Sequence, residues 1–498
     1  MSIKASVVSP IKMYIKPSVE EIKSIAAQLT YTNSTQVFMK QKVEKNWSWK
    51  NRDPNGHARA IEEIKAKIKQ TLIFRDDEGI FIRPGSLPYL TETFVIESTE
   101  VVYPKPKPVE WKTPLPFEPY SYQSEIVKLL MEVKHGNASS ATGTGKSAII
   151  LMLAQKLGLQ TVISVPTQSI FEEMLAAFEL HFGKELVGAL GDGKKRLGKL
   201  FTVAIYASLT RAKEGTPAFE HLSKTQVWLS DESHVVGAPT LETLSNGLFQ
   251  NTPYRMFLSG TQTRGDGTEK LLQSVIGKTV YTLSSEDAIK GGYICNHDFK
   301  IIGLTSPNEQ RYDDPLETKR HHFLYNTNVA QFIAKLCEAA VSNNQKVLVL
   351  MDEVEQLLIL RPMMTVPFTY AVGSGSDKRL KDAGMETIAP TDAVEQFNKN
   401  EFPVLLGTSC ISIGTNIFPM HFTVNWQGSG SEIRSKQGAV GRSVRLLEKS
   451  KYAALNPPKP KVTIIDFNIE GIRMLENQLK DRIEYYKQSG TPIKFVRL

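Results

Sequence analysis

Two sets of residues on this 498-residue chain have the types and spacing for phosphate chemistry. The first is Ser140-Ala141-Thr142-Gly143-Thr144-Gly145-Lys146-Ser147. Gly143 and Gly145 let backbone N–H groups turn toward phosphate oxygens at the N-terminus of the helix that follows. Thr142 and Thr144 complete the loop. Lys146 would reach the β- and γ-phosphates, and the Ser147 hydroxyl would hold Mg2+. The first position, usually glycine, is Ser140. The second set, some three hundred residues later, is Gln437, Arg442 and Arg445. On a helix, a spacing of three puts both guanidiniums on one face, where they could neutralise a transferring phosphoryl group or simply be solvated. If both sets serve one ATP, the site lies between two domains, and hydrolysis changes how those domains sit.

Between them, Val227-Trp228-Leu229-Ser230 reads as an apolar strand running into Asp231-Glu232-Ser233-His234. A carboxylate at the C-terminal end of that strand, Asp231, would share Mg2+ with Ser147. Glu232 would then be free to position and deprotonate water. Ser259 and Thr261 follow a further apolar strand, where their hydroxyls could relay the state of the acidic strand end; an ordinary turn explains them nearly as well. The Gln123 amide could read an adenine edge while Tyr120 or Tyr122 stacks on the ring. A surface glutamine flanked by core aromatics has equal weight. In the second half, Thr408, Gly414 and Asn416 bracket a loop of small and hydroxyl-bearing residues that a phosphate backbone or a γ-phosphate could approach.

These residues need elements to position them. Helices are expected at Gln123 to Val133 and Lys146 to Leu157, with a loop between. Buried strands are expected at Thr161 to Val165, Phe201 to Tyr206, Val227 to Leu229 and Arg255 to Leu258. A second α/β series follows Gly291-Gly292, with strands at Lys346 to Leu350, Thr369 to Val372, Val404 to Leu406, Phe422 to Val424 and Val462 to Ile465. Apolar strands alternating with helices imply parallel sheets covered on both faces. A charged helix, roughly Ile469 to Lys487, closes the chain. The prolines from Pro104 to Pro119 favour a semi-rigid spacer. Before it, a strand (Ile11 to Ile15), a helix (Val19 to Leu29), a basic Trp-bearing segment, a helix (Ala58 to Gln70) and a strand (Gly79 to Ile82) form a small α+β module. The expected plan is an N-terminal module (1–102), a linker (103–119), a first α/β lobe (120–290) and a second (291–498).

Composition is that of a globular chain, 41% hydrophobic and 22% charged, with a net charge of +8. Residues 1–116 carry 18 Lys and Arg against 13 Asp and Glu, so +5 of that excess falls in under a quarter of the chain. The excess favours a polyanionic partner. Lys45, Lys50 and Arg52 could neutralise phosphates, with Trp47 or Trp49 stacking on an unpaired base or anchoring the module's core. Cys295, Cys337 and Cys410 form no CxxC pair and are expected to be reduced thiols. No signal-type or membrane-length apolar run occurs, so a cytoplasmic protein is expected.

In this order, the segments over residues 117–470 resemble those of the superfamily 2 helicases. The resemblance implies two RecA-like lobes, ATP hydrolysis with Mg2+, and a nucleic-acid partner. Gln123 resembles the adenine-reading residue, Lys146 and Ser147 the first motif, and Asp231, Glu232 and His234 the DExH box. Ser259 and Thr261 resemble the third motif, Thr408, Gly414 and Asn416 the fifth, and Arg442 and Arg445 the sixth. Pro166, Thr167 and Ser208 resemble strand-contacting positions of the first lobe. Ser140, Tyr120 and Asn416 depart from the usual residues. The length and the basic module with its Asn46-Trp47 segment are similar to the UvsW-type recombination helicases of tailed phages. That resemblance implies remodelling of single-stranded and branched DNA by branch migration, fork regression and D- or R-loop unwinding, with RNA not excluded. A duplex translocase that leaves strands paired and an ATP-switched clamp on RNA or DNA are the other readings.

Overall fold

A parallel sheet covered on both faces needs strands that are apolar on both sides, and the chain supplies them. Thr161–Val165, Val227–Ser230, Val347–Met351 and Val404–Gly407 are buried at every residue. The computed structural model describes residues 2–99, 108–233, 235–260, 267–373, 378–386, 388–411, 416–428, 440–488 and 490–497. The chain divides into two compact units: residues 1–140 with 146–282, and residues 141–145 with 283–498.

The N-terminal module contains β1 (Ser2–Ser9), β2 (Lys12–Lys16), β3 (Thr30–Thr32), β4 (Lys69–Thr71), β5 (Ile73–Asp76), β6 (Gly79–Ile82) and β7 (Thr93–Thr99). Five of these form a mixed sheet in the order β5-β6-β2-β1-β7, and β3 pairs with β4. The helix Val19–Leu29 starts at Ser18, whose hydroxyl accepts from Glu21 N–H while the Glu21 carboxylate accepts from Ser18 N–H at 2.7 Å. This capping box satisfies two orphan donors and leaves Ile25 and Leu29 to face inward. The basic segment is helical, forming Ser34–Glu44 and Trp47–Arg52, and the next helix is Pro54–Ala66. The strands β1, β3, β4, β5 and β7 were not expected, and the helix expected to reach Gln70 ends at Ala66, because Lys69–Thr71 pairs as β4 with β3.

The module packs against the α/β region that follows it. Ile3, Met13, Ile25 and Ile82 belong to one buried cluster with Trp228, Leu271 and Val275 of the following α/β region. Arg83 Nη2 lies 2.5 Å from Glu242 Oε1, and Lys270 Nζ donates to Gln28 O at 2.6 Å and Thr30 O at 3.1 Å. A side chain on Gly85 would meet Ser274 O at 2.5 Å, so the close approach there needs glycine. The described end of the proline-rich segment is strapped down as well. Val109 N–H donates to Gly158 O at 2.8 Å, and the Trp111 ring packs edge-on against Phe182.

The eight-stranded sheet contains β8 (His135–Ser140), β9 (Thr161–Val165), β10 (Val187–Gly191), β11 (Lys194–Arg196), β12 (Phe201–Ile205), β13 (Val227–Ser230), β14 (Tyr254–Ser259) and β15 (Lys278–Leu283). Its order is β11-β10-β12-β9-β13-β14-β8-β15. Where a loop was expected before Lys146, the chain forms β8, parallel to β14. The helix Lys146–Leu157 buries Ile149 to Ala154 continuously, as a helix packed on several sides does.

The second unit's sheet contains β16 (Asn296–Thr305), β17 (Val347–Met351), β18 (Phe368–Ala371), β19 (Val404–Gly407), β20 (Phe422–Trp426), β21 (Lys461–Glu470) and β22 (Ile493–Arg497), in the order β18-β19-β17-β20-β21-β16-β22. The described pairs are parallel, with β16 and β21 in register over ten residues. The helix expected to close the chain, Arg473–Gln488, is followed by β22 at the sheet edge. It is held by Arg482, whose Nε and Nη2 donate to Asp466 at 2.7 and 3.0 Å in a fully buried pair. The fold is α/β, with two parallel-sheet regions and a small mixed-sheet module. Among the described residues no helix is long and apolar enough to cross a membrane.

Candidate active site

Because β9, β13, β14 and β8 are parallel neighbours, they end on one edge, at Val165, Ser230, Ser259 and Ser140. Ligands in open α/β sheets bind outside such carboxyl ends. The loop after β8 turns through Gly143 at φ +90° and Gly145 at φ +78°, conformations that favour glycine. Thr144 is buried, and its hydroxyl donates to Ala141 O at 2.6 Å, tightening the turn. Thr142 and Ser147 are half-buried. Ser140, at the first loop position, is fully buried, and its hydroxyl has no hydrogen-bond partner.

Lys146 opens the helix with its Nζ 3.0 Å from Glu232 Oε1, and both side chains are less than a tenth exposed. Glu232 adopts φ +46°, rare for a residue with a side chain and frequent where geometry serves a site. Three hydrogen bonds hold it there. Its N–H donates to Asp231 Oδ1 at 2.9 Å, its carbonyl accepts from Val235, and its Oε2 accepts from Gly260 N–H at 3.3 Å. Asp231 N–H donates to Ser164 O of the neighbouring strand. Burial pushes the Asp231 carboxyl up to about 7, the Glu232 charge adds to this, and Lys146 opposes it. Two dry carboxylates thus face one ammonium. That donor set, with the Ser147 hydroxyl close in sequence to Lys146, fits a hard divalent cation such as Mg2+, which binds through few protein oxygens and keeps waters or phosphate oxygens.

The other expected residues are placed as follows. Gln123 is buried and its Oε1 accepts from Tyr120 N–H at 3.0 Å, so the amide oxygen fixes the start of the helix Ser121–Val133. The Tyr120 and Tyr122 rings stack at 5.7 Å. Pro166 and Thr167 are half-buried just past β9, and Ser208 is half-buried in the turn Tyr206–Leu209. Thr408 is buried, with its hydroxyl 3.5 Å from Cys410 Sγ, and Asn416 is exposed. His234, Thr261, Gly414 and Gln437 lie outside the described residues. Among the described residues, the helix expected to carry both arginines is Gly441–Ser443, so Arg442 lies on it and Arg445, half-buried, lies beyond its C-terminal end.

Lys45, Lys50 and Arg52 are exposed. Neither tryptophan is a core residue: Trp47 is 68% exposed under the Lys50 ammonium, and Trp49 is half-buried, edge-on to His57. Sequence reasoning missed the Gly260 N–H, since a main-chain donor has no signature beyond the turn itself. It also missed Lys459, a buried lysine whose Nζ donates to main-chain carbonyls, Arg445 O among them.

Two parallel-sheet α/β regions, with a phosphate-type loop and an acidic strand end on one edge, make the chain similar to the superfamily 2 helicases. The family described as type III restriction enzyme, res subunit, matches residues 116–264, which take in both features. The DNA 3'-5' translocase XPB2 of Sulfurisphaera tokodaii is 29% identical over 205 residues, 41% of this chain and 44% of that protein. The chain therefore spans less than half of that relative's length. Among solved structures, a fragment of an HsdR subunit of a type I restriction enzyme from Vibrio vulnificus shares 16% identity over 77% of this chain and 70% of that one, with a TM-score of 0.51. T4 UvsW shares 16% identity over the full length of both chains, with a TM-score of 0.42. The HsdR likeness is one of fold alone.

Proposed function

We propose that this chain is an ATP-hydrolysing motor that moves on DNA and remodels branched DNA. The observation that carries the ATPase reading is the buried Lys146–Glu232 pair beside Asp231, at the sheet edge where the phosphate loop begins. With ATP bound, Lys146 turns from Glu232 to the β- and γ-phosphates, and the loop N–H groups hold the phosphate oxygens. Asp231 and Ser147 would hold Mg2+, which would offset charge on the phosphates. Glu232, released from Lys146 and steadied by Gly260 N–H, orients water and takes its proton. Arg442 and Arg445 neutralise charge on the γ-phosphoryl group.

DNA as the track is supported by the name of the Sulfurisphaera relative, a DNA 3'-5' translocase, and by the positive charge gathered in the N-terminal module. Pro166, Thr167, Ser208 and Thr408 would meet the strand through its phosphates. Branched DNA is the finer reading, supported by the basic module, whose exposed Lys45, Lys50 and Arg52 offer a second set of phosphate contacts beside the motor's own. Translocation along duplex without strand separation is favoured as the second reading by that relative's name.

The test is the ATPase rate with single-stranded DNA, blunt duplex, fork, four-way junction and RNA. The expected order puts fork and junction first; an equal response to RNA removes the DNA reading. Strand displacement on the fork separates a helicase from a translocase.

A further inference from the structure

In the second unit one buried ammonium gathers main-chain oxygens from two separate segments. Lys459 is 5% exposed. Its Nζ donates to Phe418 O at 2.7 Å, Ser443 O at 3.1 Å and Arg445 O at 2.5 Å. Three N–H donors meet three carbonyls, the full capacity of an ammonium. Between the last two, Val444 O accepts from Cys295 N–H at 2.7 Å. The carbonyls of Ser443, Val444 and Arg445 are therefore each held from outside their own segment, and the Ser443 and Thr423 hydroxyls are 2.6 Å apart.

This stretch is the end of the helix Gly441–Ser443, where carbonyls lack partners along the helix and a cation is favoured. The arrangement fixes the main chain of Arg445, and it ties that turn to Phe418, two residues beyond Asn416. Keeping the charge dry is unfavourable, and burial pushes the Lys459 ammonium down to about 8.

We propose that Lys459 is a positioning residue for ATP hydrolysis: it clamps the backbone at Ser443 and Arg445, so that the Arg445 guanidinium is presented in one orientation. The inference rests on the reading that Arg445 serves hydrolysis. A lysine that merely stabilised the second unit would act on turnover whether or not Arg445 were present. A lysine that works through Arg445 would not.

The experiment is a cycle on the full chain, measuring kcat and KM for ATP with saturating Mg2+ and a forked DNA. Lys459→Met is expected to lower kcat about 10-fold or more, with KM changed less than about threefold, and Lys459→Arg to restore part of the loss. In an Arg445→Ala background, Lys459→Met is expected to change kcat less than about twofold. Equal fold losses in both backgrounds, or wild-type kcat for Lys459→Met, overturn the inference. If Lys459→Met does not fold, the same cycle is run with Lys459→Arg, and additivity there overturns it equally. Wild-type kcat for Arg445→Ala alone strikes at the reading of Arg445 instead.

Discussion

Charge is used in opposite ways at two places in the first unit. At the sheet edge Lys146, Asp231 and Glu232 are nearly dry, and Lys146 is paired with Glu232. On the helices Ser34–Glu44 and Trp47–Arg52 no residue is buried, and Lys42, Lys50 and Arg52, with Lys45 between the two helices, stand in solvent. Removing one member of a dry pair strands the other in a low-dielectric site. Removing one exposed charge takes away only a screened, roughly additive interaction. Loss of function should therefore be nearly all-or-none at the edge and graded on the outer helices.

The largest effect is expected for Lys146→Ala. It removes the ammonium facing two buried carboxylates and the phosphate contact together, so kcat should fall by at least about 1000-fold. DNA affinity at low salt, measured by anisotropy, should stay within about threefold. ATPase near the wild-type rate would end the comparison, because the buried pair would then be structural only. Glu232→Gln is subtler, since the amide keeps the shape and can still accept from Gly260 N–H. Turnover should drop about 100- to 1000-fold while ATP binding, read with a fluorescent nucleotide, is retained or tightened. Unaltered turnover would assign the base elsewhere.

How much of this could be read in the sequence depended on whether the information is local. The loop around Lys146 and the strand before Asp231 are short segments whose residues announce their own conformation: glycines at positive φ, and an apolar run ending in carboxylates. His135–Ser140 reads His-Gly-Asn-Ala-Ser-Ser, which has neither alternation nor branched residues. It is a strand because β14 and β15 flank it and because Gly136 fits closely against Lys278 O. The last strand was missed for a similar reason, since Ile493–Arg497 is fixed by β16, nearly two hundred residues earlier. Arg83 with Glu242, and Lys459 with Phe418, Ser443 and Arg445, are contacts between separate segments. Nothing in a single segment marks them, and a buried lysine whose partners are carbonyls has no sequence pattern at all.

The attachment of the module to the first α/β region lies between the two extremes. Arg83 is 4% exposed in its side chain, while Glu242 is 28% exposed. Arg83 also donates to Ser274 and covers the Phe74 ring. Arg83→Met keeps much of the packing and strands only a partly wetted carboxylate. The expected loss is about 2 kcal/mol in urea unfolding, below that of a wholly buried pair. ATPase at 25 °C should stay within about twofold. An unchanged urea midpoint would show that the Arg83–Glu242 pair adds nothing to the apolar cluster and the Lys270 contacts that join the module to the rest of the unit.

Trp47→Ala should have the smallest effect, and its size separates two explanations of an exposed aromatic. Asn46 caps the helix by accepting from Trp49 N–H at 3.0 Å, so local order there does not require the Trp47 ring. The ring is 68% exposed and makes its described contact with Lys50. An exposed ring of that kind adds little to stability, so the melting temperature should move by less than about 1 °C. If the ring stacks on an unpaired base, affinity for a forked DNA should fall about fivefold, or roughly 1 kcal/mol, with the salt slope unchanged. Replacing Lys45, Lys50 and Arg52 together should instead flatten the slope of log K against log salt by up to about three phosphates' worth. A Trp47→Ala protein that flattens the slope, losing affinity at low salt but not at high salt, would mean that the ring only steadies Lys50. The outer helices would then grip phosphates alone.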